Sequence, residues 1–89
     1  MNTAPSLTVQ VRYFASLREA LGSGQAVAVP AGCTVGGLRS LLLERGGAHA
    51  LALAPGRAVR AAVAQQMAAD DTPLVDGAEV AFFPPVTGG

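Results

Sequence analysis

The sequence predicts an α+β fold in which one main helix packs against a mixed sheet of four or five strands. Three observations lead to this prediction. The 89 residues suffice for one hydrophobic core and leave no room for a second. Hydrophobic residues make up 51% of the chain and charged residues only 13%, which favours a packed core over disorder. Segments that alternate with period two lie before and after a segment with the 3.6-residue period of a helix.

The first strand, a short helix and a second strand are predicted in the N-terminal third. Residues 7–14 alternate in polarity, which is typical of a half-buried strand. The side chains predicted to share its inner face are Leu7, Val9, Val11 and Tyr13. Ser16 and Glu19 match a capping box, which predicts a short helix that ends near Gly22. Residues 25–30 alternate again and are predicted to pair with the first strand.

The main helix is predicted to start at Thr34, whose hydroxyl can cap it, and to end at Gly46. Its apolar side chains recur every three to four residues and form one stripe, composed of Val35, Leu38, Leu41 and Leu42. Gly36 and Gly37 in the first turn each cost ~0.5–1 kcal/mol relative to alanine. We therefore expect either close packing against these glycines or a frayed helix start.

The chain after the main helix is predicted to return to the sheet. Residues 48–55 fit either a loose helical turn or a loop. Residues 58–64 are interpreted as a strand despite their alanine content. A turn at residues 65–66 would reverse the chain into a short strand over residues 67–69.

The last strand is predicted over residues 79–83, after turns at residues 70–73 and 76–77. Pro84 and Pro85 supply no backbone N–H and so must leave the ladder of the sheet. We therefore divide the chain into a globular domain, residues 1–83, and an extended, flexible C-terminal tail, residues 84–89. This order of elements fits a β-grasp, or ubiquitin-like, roll, while periodicity alone leaves a ferredoxin-like arrangement open.

Composition excludes several classes of function. The six basic and six acidic residues balance, so the chain offers no electrostatic attraction for nucleic acid or for an anionic membrane. No apolar run approaches the roughly 20 residues that span a bilayer. The single cysteine cannot form an internal disulfide, and the N-terminus does not have the pattern of a secretion signal. We expect a cytoplasmic protein with no nucleic acid or membrane partner.

No constellation of catalytic side chains is visible in the sequence. Cys33 has no second cysteine or nearby histidine and is interpreted as structural. His49 has no ligand-type neighbours and is interpreted as a loop histidine, so no metal site is expected. Asp70 and Asp71 are adjacent and fit a solvated turn better than a paired acid and base. The glycines lack the spacing of a phosphate-binding loop.

The C-terminal tail is the most informative segment. Two terminal glycines, Gly88 and Gly89, have the narrowest possible cross-section and could thread a channel that excludes side chains. Fully extended, the six residues from Pro84 reach roughly 20 Å, enough to carry the α-carboxyl into another protein's pocket. The alternative is a frayed terminus without function.

Residues 79–89, with the sequence EVAFFPPVTGG, resemble the carboxyl terminus of the small subunits of molybdopterin synthase, which are ubiquitin-like sulfur carriers. Residues 11–19 resemble the first strand and helix of that family, and residues 74–77 resemble its Leu-x-Asp-Gly turn. The chain departs from the family pattern at two positions. Ala64 replaces a common asparagine, and Ala78 replaces a common acidic residue, which affects local turn geometry and not the tail.

The resemblance implies that Gly89 is a covalent sulfur carrier. Its carboxylate would be adenylated with ATP by a separate ubiquitin-activating-like adenylyltransferase and then converted to a thiocarboxylate with sulfur from a donor protein. The large synthase subunit would bind the tail in a 2:2 heterotetramer, and the sulfur would pass to cyclic pyranopterin monophosphate. On this basis the chain binds no cofactor and needs no catalytic side chain. The residues expected to contact partners are Phe83, Pro84, Pro85, Val86, Thr87 and Gly88.

Two alternatives use the same terminal Gly-Gly. One is a sulfur carrier for thiamine or cysteine synthesis, whose members generally lack the Phe-Phe-Pro-Pro-Val-Thr-Gly-Gly ending. The other is a ubiquitin-like modifier that is joined to lysines of other proteins. For Phe83, strand alternation predicts a side chain on the face opposite to Val80 and Phe82. It is interpreted as an anchor for the large subunit, or else as a side chain covered by the protein's own loops.

Overall fold

Eight helices and strands make up the part of the chain that this computed structural model describes, residues 6–54 and 58–84. In chain order they are β1 (Ser6–Tyr13), α1 (Ser16–Leu21), β2 (Gly24–Pro30), α2 (Val35–Leu43), α3 (Gly47–Ala52), β3 (Arg60–Val63), β4 (Gln66–Ala68) and β5 (Glu79–Phe83).

The strands form one sheet with the order β2-β1-β5-β3-β4. Strands β1 and β5 are parallel, and the other neighbours are antiparallel. The predicted mixed sheet and the predicted pairing of β1 with β2 are confirmed. Because β1 and β2 are direct neighbours, the ferredoxin-like alternative, in which another strand separates them, does not apply. The architecture is an α+β β-grasp roll.

The core lies between the sheet and α2. Alternate side chains of β1 and β5 and the helical stripe of α2 meet there, and each is removed almost completely from solvent. The largest of these side chains are Tyr13, Phe82, Leu38, Leu42, Val9, Val11, Val35 and Val80. Two predicted core residues differ from expectation, since Leu7 and Leu41 are only half-buried at the rim of the core.

The start of α2 is tightly packed. Of the two explanations for Gly36 and Gly37, close packing is therefore correct and a frayed helix start is not. Thr34 caps the helix as predicted, because its Oγ1 accepts a hydrogen bond from the N–H of Gly37 at 3.2 Å. A Cβ at Gly36 would lie 3.2 Å from the Cβ and carbonyl oxygen of Asp70, and a Cβ at Gly37 would lie 3.0 Å from Cys33 Sγ. Gly36 therefore allows the loop of residue 70 to approach the helix, and Gly37 leaves room for the Cys33 side chain.

The predicted capping box at Ser16 is wrong. Ser16 is the first residue of α1, and Ala15 occupies the N-cap with φ 55° and no side-chain hydrogen bond. The helix begins early because the carbonyl oxygen of Phe14 already accepts hydrogen bonds from the N–H groups of Leu17 and Arg18. The serine hydroxyl therefore does not stand in front of the first turn, where a cap must lie.

Residues 48–55 fitted either a helical turn or a loop, and the structure places helix α3 there, with the buried Leu53 as its C-cap. The turn between β3 and β4 also differs by one residue from expectation. It is centred on Ala64 and Gln65, with φ values of 50° and 68°, and Gln66 already belongs to β4. Positive φ at both central residues is typical of a type I′ hairpin turn.

The turn before β5 joins the two parallel central strands. Asp76 Oδ1 accepts a hydrogen bond from the N–H of Thr8 at 2.8 Å, and the N–H of Gly77 donates to the Thr8 carbonyl at 2.7 Å. Gly77 has φ 83°, a conformation that glycine adopts without steric cost. The Asp-Gly pair therefore sets the register in which β5 enters beside β1.

Replacing Ala64 with asparagine is expected to stabilise the protein. Asparagine tolerates the left-handed conformation of residue 64 better than alanine, so Ala64→Asn should raise the free energy of unfolding by about 0.5–1 kcal/mol. Urea denaturation measures this change. Ala58→Asn is the matched control, because Ala58 is also exposed but is not in the left-handed region. An equal gain in both variants, or a loss at residue 64, would contradict the explanation.

Candidate functional site

Strand β5, which precedes the C-terminal tail in the sequence, lies at the centre of the sheet. Strand β5 has β1 on one side and β3 on the other, so its backbone is hydrogen-bonded along both edges. Phe82, the penultimate residue of β5, is fully buried and stacks on Tyr13 with 6.3 Å between ring centroids and 24° between planes. The N–H of Phe14 donates to the Phe82 carbonyl at 3.2 Å. The base of the tail is therefore fixed.

Arg39 adds a second constraint at this base. Its guanidinium carbon lies 5.8 Å from the centroid of the Phe82 ring, within the range of a cation–π contact. Its Nη2 donates to the Val59 carbonyl at 3.2 Å and lies 3.6 Å from Asp70 Oδ1. Arg39 thus connects α2, the segment before β3 and the loop of residue 70 around the end of β5.

Phe83 points to the face of the sheet opposite to Phe82, as the sequence predicts. In the antiparallel register it stands across from Arg60, and both Phe83 and Pro84 are half-buried. Phe83 is therefore not fully covered by neighbouring loops within the described residues. Phe14, at the end of β1, is 45% exposed and lies beside the same end of β5.

An apolar patch extends from Phe83 across the outer face of the sheet. Ala62 of β3 stands opposite both Ala81 and Met67, so these residues share one face with Phe83. We call Ala62, Met67, Ala81 and Phe83 the outer patch. Met67 is 60% exposed, which is unusual for a side chain of its size. Met67 cannot be identified from the sequence pattern, because only the register of β4 against β3 places it opposite Ala62, on the same face as Phe83.

Charged groups border the outer patch. Arg12 Nε lies 2.7 Å from Glu79 Oε2, and both side chains are largely exposed, so this ion pair contributes little to stability. Arg60 is exposed on the other side of Phe83. The face thus combines an apolar centre with a polar border, the usual anatomy of a protein interface.

Two of the seven residues predicted to form the site, Phe83 and Pro84, lie in the described part of the chain, at the end of β5. The other five lie outside the described residues. They are Pro85, Val86, Thr87, Gly88 and Gly89.

His49 is not a loop residue, because it lies on α3, where its ring packs edge-on against Tyr13 at 6.3 Å. Its Nε2 is 3.4 Å from Gln25 Nε2, and Gln25 Oε1 accepts a hydrogen bond from Arg45 at 2.9 Å. Since Oε1 is engaged by a donor, the Gln25 amide nitrogen is the donor toward His49. The histidine therefore takes part in a polar cluster at the edge of the core.

Cys33 is half-buried at the start of α2, with its Sγ 3.4 Å from the Thr34 carbonyl oxygen. Burial raises the pKa of the Cys33 thiol above that of a free cysteine. Burial also raises the pKa of the Tyr13 phenol. Both groups are therefore neutral near pH 7, which fits the structural role predicted for Cys33.

Among the described residues, no group of three or more histidine, cysteine, aspartate or glutamate side chains could hold a metal ion. No helix in residues 6–54 and 58–84 is long and apolar enough to cross a membrane. Two of the clefts among the described residues border helices. One, of about 250 Å³, separates α1 from α3, and another, of about 390 Å³, lies between α2 and the end of β2.

Residues 11–89 match the ThiS family. Two curated relatives are named molybdopterin synthase sulfur carrier subunit. The one from Escherichia coli K12 is 43% identical over 81 residues, which cover 91% of this chain and 99% of the relative. The one from Haemophilus influenzae is 35% identical over 81 residues, with the same coverage of both chains.

Solved structures share the fold. The small archaeal modifier protein 1 of H. volcanii superimposes with a TM-score of 0.73 at 29% identity, covering 90% of this chain and 99% of that protein. A complex of subunits 1 and 2 of the molybdopterin-converting factor from Helicobacter pylori contains a chain with a TM-score of 0.61 at 28% identity. That match covers 93% of this chain and all of the other.

The fold and the exit of the chain from its central strand define a small protein of the ubiquitin-like β-grasp class. The chain belongs to the ThiS family, and within it to the molybdopterin synthase sulfur carrier subunits. The resemblance seen in the tail sequence is thereby confirmed.

Alkylation of Cys33 is expected to be slow. Because its raised pKa leaves less thiolate at pH 7, iodoacetamide should modify Cys33 more slowly than it modifies glutathione. The rate should rise with pH, with a midpoint above that of the free thiol. Mass spectrometry over time measures the reaction, and the urea-unfolded chain is the control. A folded-state rate equal to the unfolded one would contradict burial of the thiol.

Proposed function

We propose that this protein carries sulfur on its C-terminal glycine, Gly89, for the synthesis of the molybdopterin dithiolene. The observation that carries the proposal is the position of β5. A strand held on both edges ends beside the outer patch and continues directly into Pro84 and the Gly-Gly terminus. The globular part is then the portion that partner proteins bind, and the reactive group is the backbone carboxylate itself.

Chemistry explains why such a carrier needs a separate activating enzyme. An α-carboxyl with a pKa of about 3.3–3.7 is an anion at pH 7 and a poor electrophile. Attack of the Gly89 carboxylate on the α-phosphorus of ATP releases pyrophosphate and forms an acyl adenylate. A thiol reduces the persulfide of a donor protein, which breaks its S–S bond and releases hydrosulfide. The hydrosulfide attacks the acyl carbon, AMP and a proton leave, and a thiocarboxylate remains. Its nucleophilic sulfur is the group transferred to cyclic pyranopterin monophosphate, in two rounds for the two sulfurs of the dithiolene.

The partner that receives the tail is the large subunit of molybdopterin synthase, in a 2:2 heterotetramer. The Helicobacter pylori complex of subunits 1 and 2 supports a partner of this kind. The outer patch supplies an apolar surface next to the tail, and half-buried Phe83 is its aromatic member. Aromatic side chains often carry much of the binding energy at protein interfaces. Phe83 and the tail would bind together, so that docking of the patch aligns the glycines with the partner's channel.

A ubiquitin-like modifier is the second candidate, favoured by the similarity to the small archaeal modifier protein 1. The two functions leave different products. A modifier produces a Gly-Gly remnant on lysines of other proteins, whereas a carrier accumulates free protein about 16 mass units heavier, because sulfur replaces one oxygen. Mass spectrometry of the protein isolated from its source separates them.

Deletion of Gly89 is expected to abolish sulfur transfer without loss of stability. The reacting carboxyl would move back by one residue, about 3.3–3.6 Å, and its sulfur would no longer reach the pterin that accepts it. A terminal residue outside the strands contributes little to folding, so the melting temperature should change by less than about 1 °C. Dithiolene formation with the reconstituted large subunit is the assay. Retention of more than a tenth of the activity would refute the role of Gly89.

Replacement of Phe83 with alanine is expected to weaken binding of the large subunit by more than ~1 kcal/mol while the fold is retained. Isothermal titration with the large subunit gives the dissociation constant, and circular dichroism checks the fold. Val75→Ala is the matched control, because Val75 is an exposed apolar residue before the opposite end of β5. An unchanged dissociation constant for Phe83→Ala would show that the outer patch is not the docking surface.

A further inference from the structure

The outer edge of β2 is open in the described part of the chain. β2 is the terminal strand of the sheet, with β1 on one side and, in residues 6–54 and 58–84, no strand on the other. It is seven residues long, whereas β4, the terminal strand at the opposite edge, has only three. A long free edge presents unpaired backbone groups that can pair with another strand.

The hydrogen-bond pattern shows which groups are free. The N–H of Tyr13 donates to Ser23 of the segment before β2, while the N–H groups of Gln10 and Phe14 donate toward β5. Odd residues of β1 therefore bond to β2, and even residues bond to β5. In the antiparallel register, the backbone N–H and C=O groups of the odd residues of β2 point toward β1. Ala26 and Ala28 consequently direct their N–H and C=O groups outward, and both residues are exposed.

The edge has little protection against pairing. Residues 24–30 contain no charged side chain, and the only proline, Pro30, is the last residue of the strand. Natural edge strands usually carry lysines, prolines, bulges or a covering segment that blocks such pairing. The side chains at the two outward-bonding positions are methyl groups, which leave the backbone accessible.

An apolar groove adjoins the Pro30 end of this edge. It has a volume of about 390 Å³, and its mostly apolar lining includes Cys33, Gly37 and Leu41 together with the polar residues Thr34, Ser40 and Glu44. Half-buried Leu41 is the member of the predicted helical stripe of α2 that the core does not cover. The open edge and the uncovered side of α2 therefore lie together on one flank.

We propose that the occupant of this edge is a second copy of the chain, paired antiparallel through β2 about a two-fold axis. In the register we infer, Ala26 faces Ala26 of the other copy and Ala28 faces Gly24. The outward N–H and C=O groups of both alanines then form hydrogen bonds with the other copy. Pro30, which has no N–H, lies outside the ladder. A register shifted by two residues would place Pro30 opposite Gly24 and lose a donor. Because the strand is uncharged, its self-pairing meets no repulsion between like charges.

The two-fold operation keeps both α2 helices on the same side of the joined sheet. Each apolar groove then borders the other copy, which adds apolar contact to the backbone hydrogen bonds. An interface of one strand pair and a groove lies below the roughly 1,200 Å² of stable complexes. We therefore expect a concentration-dependent dimer with a dissociation constant on the order of 0.1 mM.

A charge-swap experiment tests the register directly. Ala26→Lys places two lysines opposite each other and should abolish the dimer, and Ala26→Glu should do the same. An equimolar mixture of the two variants should restore it as a heterodimer. Sedimentation equilibrium measures the mass of each sample, which is 8.9 kDa for the monomer. Thr8→Lys and Thr8→Glu are the controls, since Thr8 is exposed on the same face but within β1, and they should dimerise like the unmodified chain.

Amide hydrogen exchange followed by NMR gives a second readout that does not depend on a substitution. The N–H groups of Ala26 and Ala28 should exchange more slowly as the protein concentration rises, while that of Ala62 should not change. A chain that stays monomeric at 1 mM, or a mixture of the charged variants that fails to associate, overturns the proposal. Protection of these amides only on addition of the large subunit would also overturn it and assign the edge to that partner.

Discussion

The burial of Phe82 under the last strand is the constraint on which the rest of the structure depends. Its ring stacks on Tyr13, lies beneath the guanidinium of Arg39 and is fully removed from solvent. Because side chains alternate along a strand, fixing Phe82 inward fixes Phe83 outward, on the opposite face of the sheet. One packing event inside the protein therefore determines both the position of Phe83 in the outer patch and the place where β5 ends.

Hydrophobic periodicity was sufficient to predict the elements that build this arrangement. The alternation of β1 and β5, and the 3.6-residue stripe of α2, come directly from the side chains that must be buried. The polar signals were less reliable. Ser16 and Glu19 have the spacing of a capping box. However, hydrogen bonds from the helix to the Phe14 carbonyl make Ser16 the first helical residue, so Ser16 cannot be the N-cap. A cap depends on a backbone position that tertiary contacts can shift, whereas an apolar stripe does not.

The candidate site was predictable only in part, for a similar reason. Phe83 and Pro84 adjoin the tail in sequence, so alternation and proline chemistry were enough to identify them. Met67 and Ala62 join the same surface through strand register, which is a long-range property that local pattern does not encode. The glycines of α2 are another case. Their cost in helix propensity is visible in the sequence, but the reason for their presence, the approach of Asp70 to Gly36 and of Cys33 to Gly37, is visible only in the folded chain.

The parallel pairing of β5 with β1 has a mechanical consequence. A force applied to the end of β5 acts along the strand, so it loads the ladders to β1 and β3 in shear rather than peeling them apart one bond at a time. The hydrogen bonds must then fail together, which resists extraction of the strand. Tension applied to the end of β5 would therefore be resisted by both ladders at once, without unravelling of the strand from that end.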